Sequence, residues 1–134
     1  MSKGVTIFLV DDDAEDRRVF KDALEEVTST VQLLSAYDGE HALELMNDRK
    51  FSNPDIIFMD LNMPRMNGME LLAELRQRRN LTDVPIIVFS TSAMLTYIQQ
   101  CMQLGADDYL IKPESFAMLV SGIRQKLEKH TNAA

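Results

Sequence analysis

Five short apolar runs, rich in branched and aromatic side chains, alternate along the chain with longer stretches in which apolar residues recur every three or four positions. The short runs predict strands over Val5–Val10, Val31–Ala36, Asp55–Met59, Ile86–Ser90 and Tyr109–Ile111. Three of them, VTIFLV, IIFM and IIVF, are largely apolar on both faces, which suits parallel strands covered by helices on either side. Between the first two strands, Val19, Phe20, Ala23, Leu24 and Val27 form one stripe and predict a helix over Ala14–Val27. Further stripes fall at Ala42, Leu45 and Met46; at Leu71, Leu72 and Leu75; at Met94, Ile98, Cys101 and Met102; and at Phe116, Leu119, Val120, Ile123 and Leu127. Turn chemistry punctuates the alternation: Asn53-Pro54-Asp55, Asp83-Val84-Pro85, and Gly105 after the fourth helix. A βα pattern of this length implies a parallel sheet with right-handed crossovers, closed as a three-layer α/β sandwich. In such sheets ligands bind beyond the carboxyl ends of the strands.

Composition narrows the function classes. A chain of 134 residues, 46% apolar and 26% charged, has the make-up of one globular domain and not of a disordered or fibrous protein. We therefore expect a single domain over 1–134, with its core over about 5–130. The net charge of −7 repels phosphate backbones and anionic bilayers, so neither nucleic acid nor a membrane is expected as a direct partner. Cys101 has no second cysteine to pair with, Met1–Gly4 lacks the apolar stretch of a signal peptide, and no apolar run is long enough to span a bilayer. A cytoplasmic location is the expectation.

At the carboxyl ends of the predicted strands stand Asp11-Asp12-Asp13, Asp60, Ser90-Thr91 and Lys112-Pro113. Each has an ordinary structural explanation. Asp13 reads as a helix N-cap, Asp60 as a loop carboxylate, Lys112 as a solvated cation and Ser90 as a satisfied strand-end hydroxyl. Their convergence on one edge says more. Carboxylates gathered there repel one another unless a positive charge sits among them, and an oxygen-only set suits Mg²⁺, which keeps a few carboxylates, waters and a phosphate. Lys112 adds a further positive charge, and Ser90 can donate to a phosphoryl oxygen.

The same residues carry a family resemblance. LVDDD at 9–13, MDLNMPRMNG at 59–68, FSTSA at 89–93 and GADDYLIKP at 105–113 resemble the response-regulator receiver domain of two-component signalling, chemotaxis-regulator-like and single-domain. The intervals agree: 90 − 60 = 30 positions from Asp60 to Ser90, and 112 − 90 = 22 from Ser90 to Lys112. The resemblance implies a flavodoxin-like doubly wound sheet of five parallel strands in the order 2-1-3-4-5 with helices on both faces. It implies Asp60 as phosphoacceptor and Mg²⁺ (or Mn²⁺) held by the side chains of Asp12 and Asp60, by Asp11 through water, and by the Asn62 carbonyl. Lys112 and Ser90 would contact the phosphoryl group, Ser90 and Tyr109 would form the switch pair, and Lys112–Pro113 would be a cis peptide. Pro64 and an Asn67-Gly68 turn would fix the loop after Asp60. Departures from the common pattern are Thr91, whose branched side chain would narrow access to the phosphoryl group, Ser90 in place of threonine, and Glu114 where an aromatic is frequent.

The implied function is that of a stand-alone receiver, not itself an enzyme, which takes a phosphoryl group from a sensor histidine kinase or histidine phosphotransfer protein. It would signal to a downstream target protein through the face of the fourth helix, fifth strand and fifth helix, which would also serve a homodimer. A looser likeness of FSTSA points to receivers paired with phytochrome-type kinases. Two alternatives use the same residues differently. A haloacid-dehalogenase-type phosphatase would place the phosphoryl group on Asp11, with Asp13 as its acid, but it needs an acidic pair where this chain has Ser90-Thr91. A phosphorylation-independent docking module would keep the fold alone. His41 and His130 read as helix-surface and C-terminal residues, the nine methionines as mostly core filler, and Met63 and Met66 as candidates to face a partner.

Overall fold

The structure is a computed structural model that describes residues 4–63 and 67–131. Five strands alternate with five helices: β1 Val5–Val10, α1 Ala14–Val27, β2 Val31–Ala36, α2 Gly39–Asn47, β3 Ile56–Met59, α3 Gly68–Gln77, β4 Ile86–Ser90, α4 Leu95–Gln103, β5 Asp108–Ile111 and α5 Phe116–His130, with a 3₁₀ turn at Arg79–Leu81 before β4. All pairings are parallel, in the order β2-β1-β3-β4-β5. The three runs that are apolar on both faces are thus the three inner strands. Asp55 lies just outside β3, where its carboxylate accepts the Thr6 N–H at 2.8 Å.

Alternation along the inner strands divides the core. Ile7, Leu9, Ile56, Phe58, Ile87 and Phe89 point to α1 and α5, where Phe20, Leu24, Leu119, Ile123 and Leu127 meet them. Phe8, Val10, Ile57, Met59, Ile86 and Val88 point to the other layer and pack with Ala42, Met46, Leu71, Leu75 and Cys101. Met63, a candidate to face a partner, is instead buried in that second layer, since the chain leaving β3 turns its thioether inward; Met66 and Pro64 lie outside the described residues. The fourth stripe is also revised. Of Met94, Ile98, Cys101 and Met102, only Cys101 is fully buried, because α4 begins at Leu95 and leaves Met94 as its exposed cap.

Local chemistry sets the helix ends. Asp13 caps α1 by accepting the Asp16 N–H at 3.0 Å, and Gly105 ends α4 with a φ of 113°, a conformation that disfavours a side chain. Asn67-Gly68 is a helix start and not a free turn. Asn67 caps α3, and a Cβ on Gly68 would stand 2.3 Å from the Leu61 backbone. That close approach ties the chain leaving β3 to α3. None of the described peptide bonds is cis, so Lys112–Pro113 is trans, contrary to expectation. The trans form is intrinsically favoured before proline by about 0.5–1 kcal/mol, and Lys112 reaches its carboxylate partners from it.

At the amino end of β5, Asp108 joins the strand to the end of α5 through His130 at 2.9 Å, Lys126 at 3.0 Å and Lys129 at 3.2 Å. Burial by itself would raise the Asp108 carboxyl. Hydrogen bonds from His130, Lys126, the Tyr109 N–H and Lys129 outweigh it and hold the group well below the usual carboxylate range. A depressed folded-state value stabilises above the unfolded value, about 3.9, and that stabilisation is lost as pH falls toward the folded value. Asp108→Asn should therefore cost about 1–2 kcal/mol at pH 7, with the gap to the parent narrowing steadily below about pH 4. Urea unfolding at a series of pH values measures it, and equal stability at pH 7 would contradict the assignment.

Candidate functional site

The strand ladders extend one residue past three of the strands and so fix the residue that succeeds each. Asp11 N–H donates to the Ala36 carbonyl at 3.1 Å, Asp60 N–H to Val10 at 2.8 Å, and Lys112 N–H to Ser90 at 2.7 Å. Three chemically active side chains are held by the sheet itself. The Lys112 ammonium lies 2.9 Å from Asp11 Oδ2, 3.0 Å from Asp60 Oδ2 and 2.9 Å from Asp16 Oδ2. It also stands 5.2 Å from the centroid of the Phe89 ring, within cation–π range. Phe89 belongs to an edge-to-face cluster with Phe20 and Phe58, so the ammonium rests on rigid aromatic packing.

Asp11 is fully enclosed, whereas the Asp60 side chain keeps 10% of its surface open and Asp12 is exposed. The carboxylates of Asp11, Asp12 and Asp60 bring oxygens within 4.8 Å of one another, a set able to hold a metal ion. These donors are all oxygens and of mixed exposure, which fits a hard divalent cation that retains water. Asn62 is exposed, and its N–H donates to Asp60 Oδ1 at 3.0 Å. The remaining Asp11 oxygen accepts the Asp13 N–H at 3.0 Å, and Arg17 donates to the Asp11 carbonyl at 2.7 Å. Burial pushes the Asp11 carboxyl up, against the lowering effect of the Asp13 N–H and Lys112. Burial likewise disfavours the Lys112 ammonium, but its hydrogen bonds to Asp11 and Asp16 overcome that and raise its pKa.

On the other side of Asp60, Ser90 is buried and its hydroxyl accepts the Ser92 N–H at 3.2 Å. Tyr109 donates to the Ser92 carbonyl at 2.7 Å, so the two expected switch residues meet through Ser92. Thr91 is exposed beside them. Tyr97 of α4 packs edge-on against Tyr109, ring centroids 6.3 Å apart. Burial, with Cys101, Tyr109 and Asp60 adding to it, pushes the Tyr97 hydroxyl up to about 12, so it is neutral at pH 7. The two histidines have structural partners: His41 stacks on Tyr37 and accepts its N–H, and His130 pairs with Asp108.

Asp16 and Tyr97 do not stand out in the sequence pattern. Asp16 reads as a favourable acid in the first turn of a helix, and Tyr97 as an ordinary helix aromatic. The available signal for Asp16 is its place three residues after the Asp13 cap. In a reciprocal capping box it would return to the Asp13 N–H, but Asp11 already takes that donor.

A family model, the response regulator receiver domain, matches residues 7–124. The protein-glutamate methylesterase/protein-glutamine glutaminase of Clostridium acetobutylicum is 34% identical over 137 residues, which covers 96% of this chain and 38% of that protein. The chain thus spans well under half of that relative. Among solved structures, the phosphorylated cyanobacterial phytochrome response regulator RcpA superposes with a TM-score of 0.87 at 29% identity, covering 98% of this chain and 96% of the other. The Mn²⁺-bound form of the response regulator Rcp1 gives 0.83 at 25% identity, over 97% of this chain and 96% of the other. With its 2-1-3-4-5 sheet and an acidic edge built on β1 and β3, the chain belongs to the response regulator receiver domain family of two-component systems.

Proposed function

We propose that the chain is a single receiver domain over 1–134 that accepts a phosphoryl group on Asp60 from a sensor histidine kinase or histidine phosphotransfer protein and passes the signal to a target protein. The observation that carries this reading is the position of Asp60, pinned to β1 through its N–H, bonded to Lys112, and more open than Asp11, the other buried carboxylate that Lys112 binds. An Asp60 oxygen attacks phosphorus, the bond from phosphorus to the donor's nitrogen or oxygen breaks with its electron pair leaving on the donor, and an acyl phosphate forms. Water later hydrolyses that acyl phosphate. A carboxylate is a poor nucleophile toward a dianion, so positioning and charge neutralisation supply most of the rate. Lys112 redirects the N–H it gives Asp60 to a phosphoryl oxygen, and Ser90 donates its hydroxyl proton to another. Asp11, Asp12, Asp60 and the Asn62 carbonyl would hold Mg²⁺ or Mn²⁺, which when bound neutralises phosphoryl charge and fixes an oxygen. Phosphorylated and Mn²⁺-bound neighbours of similar fold support both points. Full enclosure of Asp11 weighs against the phosphatase alternative, because a nucleophile must be reached.

Open apolar surface supports an output face on α4, β5 and α5. Of the exposed large apolar side chains among the described residues, Met94, Leu95, Met102, Ile111, Phe116 and Met118 belong to α4, β5, α5 or the α4 cap, and Tyr37, after β2, is the exception. Grouped apolar exposure of this kind marks interaction surfaces. Ser90 turning to the phosphoryl group would release the Ser92 segment and let Tyr109 move inward. No helix among the described residues is long and apolar enough to cross a membrane, and a cytoplasmic site of action suits a kinase partner.

Three measurements test this. Acetyl phosphate with Mg²⁺ should label the protein once, borohydride trapping should place the label on Asp60, and Asp60→Asn or excess chelator should abolish it; label on Asp11 would overturn the reading. Lys112→Met should slow phosphorylation at least tenfold and, by leaving Asp11 and Asp60 unneutralised, lower stability in chelator by about 2 kcal/mol or more, part of which Mg²⁺ restores; chemical unfolding with and without Mg²⁺ decides. Beryllofluoride should change amide exchange in α4, β5 and α5, with sedimentation reporting any dimer. Changes confined to the Asp60 edge would remove the output face and leave a phosphoryl carrier.

A further inference from the structure

An ammonium has three protons, and Lys112 Nζ has a carboxylate partner for each: Asp11 Oδ2, Asp16 Oδ2 and Asp60 Oδ2. These partners are not equivalent. Asp11 and Asp60 belong to the metal-binding set with Asp12, and Asp16 does not. Asp60 is also the proposed phosphoacceptor. Any cation in the acidic set draws on Asp11 and Asp60, and phosphorylation removes the Asp60 carboxylate charge altogether. Asp16 stands apart from both events, on the first turn of α1, with its side chain 43% exposed. Its position is fixed independently, since its own N–H is bonded to the Asp13 cap and the Asp13 N–H is engaged by Asp11. The Asp16 carboxylate is therefore free to face Lys112. A lysine side chain has a flexible four-carbon stem and loses rotamer entropy when it is ordered. If the other two acceptors are drawn away, one fixed partner keeps the side chain ordered before the phosphoryl group arrives.

We propose that Asp16 is a positioning residue for phosphoryl transfer, anchoring Lys112 from helix α1 so that the ammonium stays aimed at the phosphoryl site when Asp11 and Asp60 are engaged elsewhere. The kinetic part rests on Asp60 being the phosphoacceptor; the anchoring of Lys112 does not. Asp16 contacts neither the metal set nor the phosphoryl group and acts through Lys112 alone. It has a cost as well, because a fourth acid near the site repels an anionic donor. Asp16→Asn, which removes the charge but keeps an acceptor oxygen, separates the two effects from Asp16→Ala, which removes both.

The test uses the full chain with acetyl phosphate and Mg²⁺. Asp16→Ala should phosphorylate about tenfold more slowly, with Asp16→Asn within threefold of the parent. Mg²⁺ affinity, followed by NMR shifts, should stay within twofold in both variants, and their amide spectra should show the parent's fold. In a Lys112→Met background Asp16→Ala should have no further effect on the rate, because the residue it acts through is gone. The Lys112 ammonium resonance, protected in the parent without any phosphoryl donor, should broaden or exchange rapidly in Asp16→Ala. Faster phosphorylation of both Asp16 variants would mean that Asp16 is only a repelling charge and would overturn the proposal. So would an equal slowing by Asp16→Ala with and without Lys112, or an unchanged ammonium resonance. If the parent itself takes no label on Asp60, the phosphoacceptor reading fails, and the ammonium resonance still decides whether Asp16 anchors Lys112.

Discussion

One positive charge among three carboxylates organises the carboxyl edge of this sheet. Lys112 lies within 3.0 Å of Asp11, Asp16 and Asp60, and its side chain is only 11% exposed. Carboxylates this close cannot all remain ionised without compensation, since like charges raise one another's pKa. Burial pushes the enclosed Asp11 carboxyl upward against the lowering effect of the Asp13 N–H and Lys112, and Lys112 is pushed the same way by its partners in spite of burial. The site is thus balanced short of neutrality: one ammonium for three acids, with Asp12 exposed beside them. That residual negative charge suits a divalent cation in the Asp11, Asp12 and Asp60 set, and it would have to be offset before an anionic phosphoryl donor could approach.

The sheet delivers these groups through its backbone. Asp11, Asp60 and Lys112 each lie one residue beyond a strand yet still donate to the neighbouring strand, so their Cα positions are as fixed as the ladder. Loops begin only after these residues. Below them the Phe20, Phe58 and Phe89 rings interlock, and α1, which supplies Phe20, also carries Asp16 at its first turn. Packing on one face of the sheet and charge at its edge are therefore coupled through the same helix. A shift of α1 large enough to displace Asp16 would have to disturb the Phe20 contacts, and close-packed cores resist that.

Most of this architecture is legible in the order of residues for a physical reason. Strands buried on both faces must be continuously apolar, so VTIFLV, IIFM and IIVF declare themselves as inner strands, and strand ends in such a sheet are where polar residues can gather. What escapes the pattern is what depends on orientation in space. Asp16 is indistinguishable in sequence from an acid that favours a helix N-terminus; only the placement of α1 against the sheet brings it to Lys112. The stripe from Met94 to Met102 has helical spacing, yet only Cys101 is buried, because amphipathic spacing shows that one face is apolar and not that something covers it. The trans Lys112–Pro113 bond likewise accords with the local preference of the peptide and not with the family likeness.

The uncovered stripe and the acidic edge are connected by one strand end. Ser90 closes β4 and binds Ser92, and the Ser92 carbonyl in turn holds the Tyr109 hydroxyl, whose ring lies against Tyr97 on α4. This chain of contacts gives the segment at 90–92 two sets of demands, from the phosphoryl side and from the tyrosines. The Ser90 oxygen accepts the Ser92 N–H; a phosphoryl oxygen would be a stronger partner for the hydroxyl, and turning to it would weaken the support for Ser92. A ligand shifts a conformational equilibrium only by its differential affinity for the two states. A charge-assisted hydrogen bond contributes about 1.5–3 kcal/mol, enough to move a population by roughly tenfold to a hundredfold but not to invert a strongly biased one. For the apolar surface of α4 and α5 to respond fully, the two packings around Tyr97 and Tyr109 must already be close in energy. Two partly buried tyrosines, one of them held by a loop carbonyl, are the kind of packing in which a small gap is attainable.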